Sequence, residues 1–94
     1  MKISDIRFDS RNVNIVGKVV KKEEPRTVTT RFGATVVANA MLEDETGSVI
    51  LVLWGDEIDK VNEGDSVKIE NGYIREFNGQ LQLNVGKFGK LKVV

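Results

Sequence analysis

Residues 67–85 read Val-Lys-Ile-Glu-Asn-Gly-Tyr-Ile-Arg-Glu-Phe-Asn-Gly-Gln-Leu-Gln-Leu-Asn-Val, two runs of alternating character joined at Asn78-Gly79. An Asn-Gly pair supplies the two left-handed residues of a tight hairpin turn. The stretch therefore predicts two antiparallel strands, Val67 to Phe77 and Gln80 to Val85. Side chains alternate between faces along a strand, so Leu81, Leu83 and Val85 share one face and Gln80, Gln82 and Asn84 the other. The leucine face belongs inside. On the first strand of the pair, Tyr73, Arg75 and Phe77 stand in a row on one face. Tyr73 and Phe77 as core residues are the competing reading, but that face would bury Arg75 between two rings, which is costly without a partner. The row is expected to face outward.

Working outward, Val49 to Trp54 forms an earlier strand, and Asp44-Glu45-Thr46-Gly47-Ser48 turns the chain into it from a strand over Ala34 to Asp44. Gly55-Asp56 stops the run, and Asp56 is expected to cap a short helical turn through Ile58 and Val61. Val13 to Val20 is rich in β-branched residues and carries Gly17, which reads as a first strand with a bend. Lys21 to Arg26 is polar and holds the only proline, Pro25, so a mobile loop is expected to about Phe32-Gly33. Leu91 to Val94 alternates weakly and extends the last strand if Gly86 and Gly89 allow a bend. This layout predicts an all-β domain, a five-stranded Greek-key OB-fold barrel with a short helix between strands 3 and 4. An SH3-like barrel ranks second, because it usually lacks that helix.

With 94 residues the chain supports a single core, expected as one domain over residues 1–94. Hydrophobic residues make up 40% and charged residues 30%, the composition of an ordinary globular chain. No apolar stretch has the length of a membrane span or the character of a secretory signal, so no membrane partner and a cytoplasmic, nucleoid-associated location are expected. His and Cys are both absent, which removes imidazole chemistry, thiolate nucleophiles and the common zinc sites. A binding role without cofactor, metal or catalysis follows as the expectation. Lys plus Arg equals Asp plus Glu at 14 each, yet acids crowd into 43–45 and 56–65 while Lys18, Lys21, Lys22, Arg26, Arg31 and Arg75 fall elsewhere. A neutral total can hide a basic groove, although most such charges in any protein are simply solvated.

Tyr73, Arg75 and Phe77 suit single-stranded nucleic acid: flat rings accept any base, and a guanidinium pairs with phosphate or stacks. Gln80 and Gln82 can add hydrogen bonds to base edges. Trp54, at a strand end, is balanced between a barrel plug and a stacking platform. Phe32, beside Arg31, reads as a loop contact or a lid over the barrel end, and Phe8 and Phe88 as packing residues near the termini.

The runs Asp44-Glu45-Thr46-Gly47, Leu53-Trp54-Gly55, Glu63-Gly64-Asp65 and Asn71-Gly72-Tyr73 through Phe77-Asn78-Gly79-Gln80-Leu81-Gln82-Leu83-Asn84 together resemble the simple archaeal single-stranded DNA-binding proteins and archaeal replication protein A modules. Almost the whole chain shares the resemblance. It implies base stacking on Trp54, Tyr73 and Phe77, with the segment from Glu23 to Gly33 closing over the strand through Arg26, Arg31 and Phe32. Lys18, Arg31 and Arg75 are the candidate phosphate contacts. The implied function is sequence-tolerant binding of single-stranded DNA in replication, recombination or repair, with other replication or repair proteins or further OB modules as candidate partners. The alternatives are an RNA-binding domain of the anticodon type and a protein-interaction or oligomerisation module using Ile50, Val52 and Trp54 as an apolar patch. Two departures stand out: Ile50 and Val52 are apolar where relatives often carry polar or basic residues, and Asn84 replaces an aromatic found in some. The chain also lacks the acidic or glycine-rich tail of many such proteins, as expected of a module from a longer protein.

Overall fold

The computed structural model describes residues 1–94. Strand β1, Val13–Lys22, buries every second residue from Val13 to Val19. It first pairs with β5, Ser66–Phe77, and then with β3, Gly33–Asp44. The strand can lie across both because Gly17 has no side chain: a Cβ there would stand 2.9 Å from the Glu43 carbonyl oxygen and from Leu42 Cγ. β3 then pairs antiparallel with β4, Gly47–Trp54, β4 runs parallel to β6, Gln80–Val93, and β6 returns antiparallel to β5. The circuit β1–β3–β4–β6–β5–β1 closes the expected five-stranded OB barrel. Helix α1, Glu57–Lys60, lies between the third and fourth barrel strands, also as expected. Leu42, Leu51, Leu53, Ile69 and Leu83 are fully buried at the centre of the core.

Asn78 and Gly79 take φ of 51° and 79°, and Phe77 faces Gln80 across the turn. The central hairpin is thus built as its sequence requires. Several local features differ from expectation. The segment after β1 is not a loop throughout: Arg26–Thr30 forms β2, paired antiparallel with β3 from Arg26 opposite Val37 to Thr30 opposite Gly33. Thr27, Val28, Thr29 and Thr30 are all β-branched, and that preference prevails once the chain has passed Pro25. β6, by contrast, continues past Val85 to Val93 as the alternation at Leu91 to Val94 suggested, and its bend is absorbed where the β5 pairing jumps from Gly72 opposite Val85 to Glu70 opposite Lys90. Asp56 makes no capping hydrogen bond. The Glu57 carboxylate instead accepts the Trp54 backbone N–H at 2.9 Å, tying the strand end to the helix.

One irregularity decides which way the aromatic row points. Val67, Ile69, Tyr73, Arg75 and Phe77 all occupy odd positions, so an unbroken strand would set them on one face. Asn71 takes a left-handed φ of 55°, and the pairings with both neighbours of β5 shift beside it. The extra residue resets the alternation. Val67 and Ile69 point inward before the bulge, and Gly72 and Ile74 do so after it. Tyr73, Arg75 and Phe77 are thereby turned to the outside.

The far end of the barrel is closed by a 3₁₀ turn, Ile3–Asp5, whose Ile3 side chain is buried. The Asp44 carboxylate holds it, accepting the Ile3 backbone N–H at 2.9 Å, the Thr46 backbone N–H at 2.7 Å and the Thr46 hydroxyl. Donation by the Thr46 hydroxyl and then by the Ile3 amide lowers the Asp44 pKa from 3.8 to about 2. The Asp44-Glu45-Thr46-Gly47 turn is therefore a clasp between the N-terminus and the β3–β4 hairpin.

Candidate nucleic-acid interface

Strand register lays out the outer face of the barrel as cross-strand rows. Met41, Ile50, Gln82 and Arg75 stand side by side across β3, β4, β6 and β5. Asn39, Val52, Asn84 and Tyr73 form the next row on the same strands. Beyond it, Arg26, Val37 and Trp54 are neighbours across β2, β3 and β4. Val37 and Val52 are 1% and 4% exposed, so the apolar part of this face is a buried floor. Ile50, Val52 and Trp54 accordingly do not form an open apolar patch.

Trp54 is half-buried at the margin of that floor, with its indole N–H donating to Asn84 Oδ1 at 3.0 Å. Both ends of the residue are held, since its backbone N–H is bonded to Glu57. Burial raises the Glu57 pKa, against the opposing effects of the Trp54 N–H and of Lys60. The Tyr73 ring lies against Gly86: a Cβ there would stand 3.2 Å from Tyr73 Cε1. Phe77 is 59% exposed beside the hairpin turn.

Trp54 and Phe77 border a groove of about 330 Å³ over Val37 and Val52, with Arg26 and Val28 on one wall and Phe77 and Gln82 on the other. Trp54 and Arg75 also line a wider section that runs between the β2–β3 tip, with Arg31 and Phe32, and Tyr73, Val85 and Lys87. The two sections therefore form one channel. The structure brings together Trp54, Tyr73, Phe77, Arg75, Arg26, Arg31, Phe32 and Gln82 of the residues singled out in the sequence. It does not bring Lys18, which sits on β1 between Glu43 and Ser66. Gln80 stands at the hairpin end opposite Phe77 and lines neither section.

The channel's charge is basic in detail although the chain is neutral. Its ion pairs are Lys2–Glu45 and Lys68–Glu70, both elsewhere on the barrel. Arg26, Arg31, Arg75 and Lys87 line the channel outside any ion pair, while Glu76 contributes a carboxylate to one wall. Lys87 was not legible in the sequence, because the alternation of the last strand fades after Val85. Phe8 and Phe88 differ from expectation as well: they are 68% and 81% exposed and pack into no core.

A family described as single-stranded DNA binding protein Ssb-like, OB fold, matches residues 8–93. The chain belongs to this family. It is 37% identical over 90 residues to the single-stranded DNA binding protein Ssb of Saccharolobus solfataricus, a match covering 96% of this Ssb-like chain and 61% of the relative. It is 34% identical over 91 residues to replication factor A of Methanothermobacter thermautotrophicus, covering 93% of this chain and 12% of that protein. The chain thus spans less than two thirds of the length of either. Among solved structures, a replication factor A related protein from Methanobacterium thermoautotrophicum superposes with a TM-score of 0.81 at 30% identity, covering 100% of this chain and 89% of that one. An OB domain from Thermoplasma acidophilum shares the fold with a TM-score of 0.87 at 24% identity, covering 100% and 85%.

Proposed function

We propose that this Ssb-like domain binds single-stranded DNA with little regard to sequence, laying the strand along the channel so that bases stack on Trp54, Tyr73 and Phe77. The observation that carries the reading is the Tyr73, Arg75 and Phe77 row, turned outward by the bulge at Asn71 and facing Trp54 across a channel whose cations are unpaired. Every base offers a π-face, so ring platforms discriminate weakly among sequences, and guanidinium groups between them meet phosphates or stack. Arg26, Arg31 and Lys87 on the channel walls attract the backbone of the strand. A duplex keeps its bases stacked inside and offers the rings nothing to accept. The names of the relatives, a single-stranded DNA binding protein and a replication factor A, support the same substrate and a role in replication, recombination or repair.

Trp54 is the only tryptophan and belongs to the channel, so its fluorescence reports on the site itself. Titration with oligo-dT, oligo-rU and duplex DNA is expected to show quenching by the single strands and none by the duplex, with oligo-dT the tighter ligand. Tighter binding of oligo-rU moves the assignment to RNA. Silence with all of them overturns nucleic-acid binding at this face.

A further inference from the structure

Phe8 and Phe88 are far apart in sequence, both largely exposed, and both line one cleft. The cleft measures about 620 Å³, within the range of roughly 300–1,000 Å³ typical of small-ligand sites. One wall is the segment Phe8 to Asn12, and the other is the bend of β6 at Gly86, Lys87 and Phe88. Its floor is the β5 segment around the Asn71 bulge, including Tyr73 and Arg75. Those two residues, with Gly86 and Lys87, also line the channel on the Phe32 side. The cleft is thus a continuation of the channel, entered by passing over the Tyr73 ring.

Its chemistry repeats that of the channel. Arg11, Arg75 and Lys87 supply cations, none of them in an ion pair, against one carboxylate from Asp9. Lys87 Nζ stands 5.8 Å from the Phe88 ring centre, so a cation and a ring surface are presented together. Two large apolar rings left in water beside unpaired cations give the core nothing, and apolar surface clustered in a cleft marks an interaction site. A nucleotide fits both features, offering a flat base to a ring and a phosphate to Arg11 or Lys87.

We propose that the same single strand continues past Tyr73 into this cleft, where a further base stacks on Phe88 or Phe8 and the intervening phosphate is held by Arg11 and Lys87. The inference rests on the function proposed above and lengthens its footprint. A short ligand occupies the Trp54 to Phe77 channel alone, and a longer one gains the additional subsite.

The test is binding of oligo-dT of graded length, about 4 to 10 nucleotides, to wild type and to the Phe8→Ala/Phe88→Ala double variant, with a thermal melt of each. Both rings are exposed, so the melts should coincide. The shortest oligomers are expected to bind both proteins equally. On longer ones the double variant should bind about tenfold or more weakly, in line with loss of one stacking platform. Phe8→Tyr/Phe88→Tyr should bind longer oligomers like wild type and Phe8→Leu/Phe88→Leu like the double alanine variant, which separates ring stacking from mere apolar bulk. Equal affinity of wild type and double variant at every length overturns this proposal and leaves the channel assignment standing. A wild type that binds no oligomer overturns both.

Discussion

The indole N–H of Trp54 donates to Oδ1 of Asn84, which is itself 3% exposed, at 3.0 Å. Trp54 and Asn84 lie on neighbouring strands, and the bond holds the ring across β6 at the margin of the channel. An oriented ring forfeits less rotamer freedom when a base stacks on it. Asn84→Ala leaves the indole donor unpaired and is expected to destabilise the domain by about 1–3 kcal/mol. It should also shift the tryptophan emission and weaken oligo-dT binding several-fold. Urea unfolding and fluorescence titration check these outcomes, and unchanged emission with unchanged affinity would mean the bond does not position the ring.

Binding and folding should separate cleanly across β5 and β6. Tyr73 and Phe77 face outward, whereas Leu83 is fully buried among the barrel residues. Tyr73→Ala or Phe77→Ala is expected to cost about 1–3 kcal/mol of single-strand affinity with the fold intact. Leu83→Ala should cost about 2–5 kcal/mol of stability. Denaturant melts beside binding curves compare them, and an unfolded Phe77→Ala would contradict the orientation of the aromatic row.

Gly86 supports Tyr73 by having no side chain. An added methyl would lie 3.2 Å from Cε1 and 3.3 Å from Cδ1 of the ring, so Tyr73 must tilt by a few tenths of an ångström or more. Because Tyr73 is only partly buried, it can yield with little loss of fold. Gly86→Ala is thus expected to reduce oligo-dT affinity measurably while shifting the melting temperature little. Full wild-type affinity would show that the position of the Tyr73 ring is immaterial to binding.

The Asp44 clasp sets a pH window. Its carboxyl titrates near pH 2 in the folded chain against 3.8 ordinarily, so its stabilising effect is complete above about pH 4 and is lost as the pH falls toward 2. The stability gap between wild type and Asp44→Ala should therefore be constant near neutrality and narrow through that interval. Melts at stepped pH measure it, and a gap independent of pH down to 2 would mean the charge on Asp44 plays no part.

Much of the architecture is visible in local chemistry. Asn78-Gly79 admits essentially one turn, and the leucines of β6 admit one inward face. The outward direction of Tyr73, Arg75 and Phe77 followed from the difficulty of burying Arg75, but the device that achieves it, the bulge at Asn71, depends on two neighbouring strands and is marked locally only by an Asn71-Gly72 pair that a strand and a turn can both use. β2 was obscured because Pro25 and the charges before it outweighed the β-branched run that follows. Lys18 illustrates the limit of reading charge alone: its residue type suits a phosphate, and its strand carries it away from the channel. Phe8 and Phe88 were read as packing residues on the general habit of large apolar side chains, which exposure at these two positions reverses.

In the proposed function rings, more than cations, hold the strand. The decisive measurement is the affinity for a short oligo-dT across a range of salt concentrations, with wild type and with Trp54→Ala/Phe77→Ala. If Arg26, Arg31, Arg75 and Lys87 each meet one phosphate, the slope of log K against log salt should be near −3, from about −0.7 per contact on single strands. Affinity then survives moderate salt in the wild type and falls by about 2–6 kcal/mol in the double variant, from about 1–3 kcal/mol for each lost ring. A slope steeper than about −5, with the double variant binding as tightly as wild type, would contradict the account and assign the affinity to phosphate contacts alone.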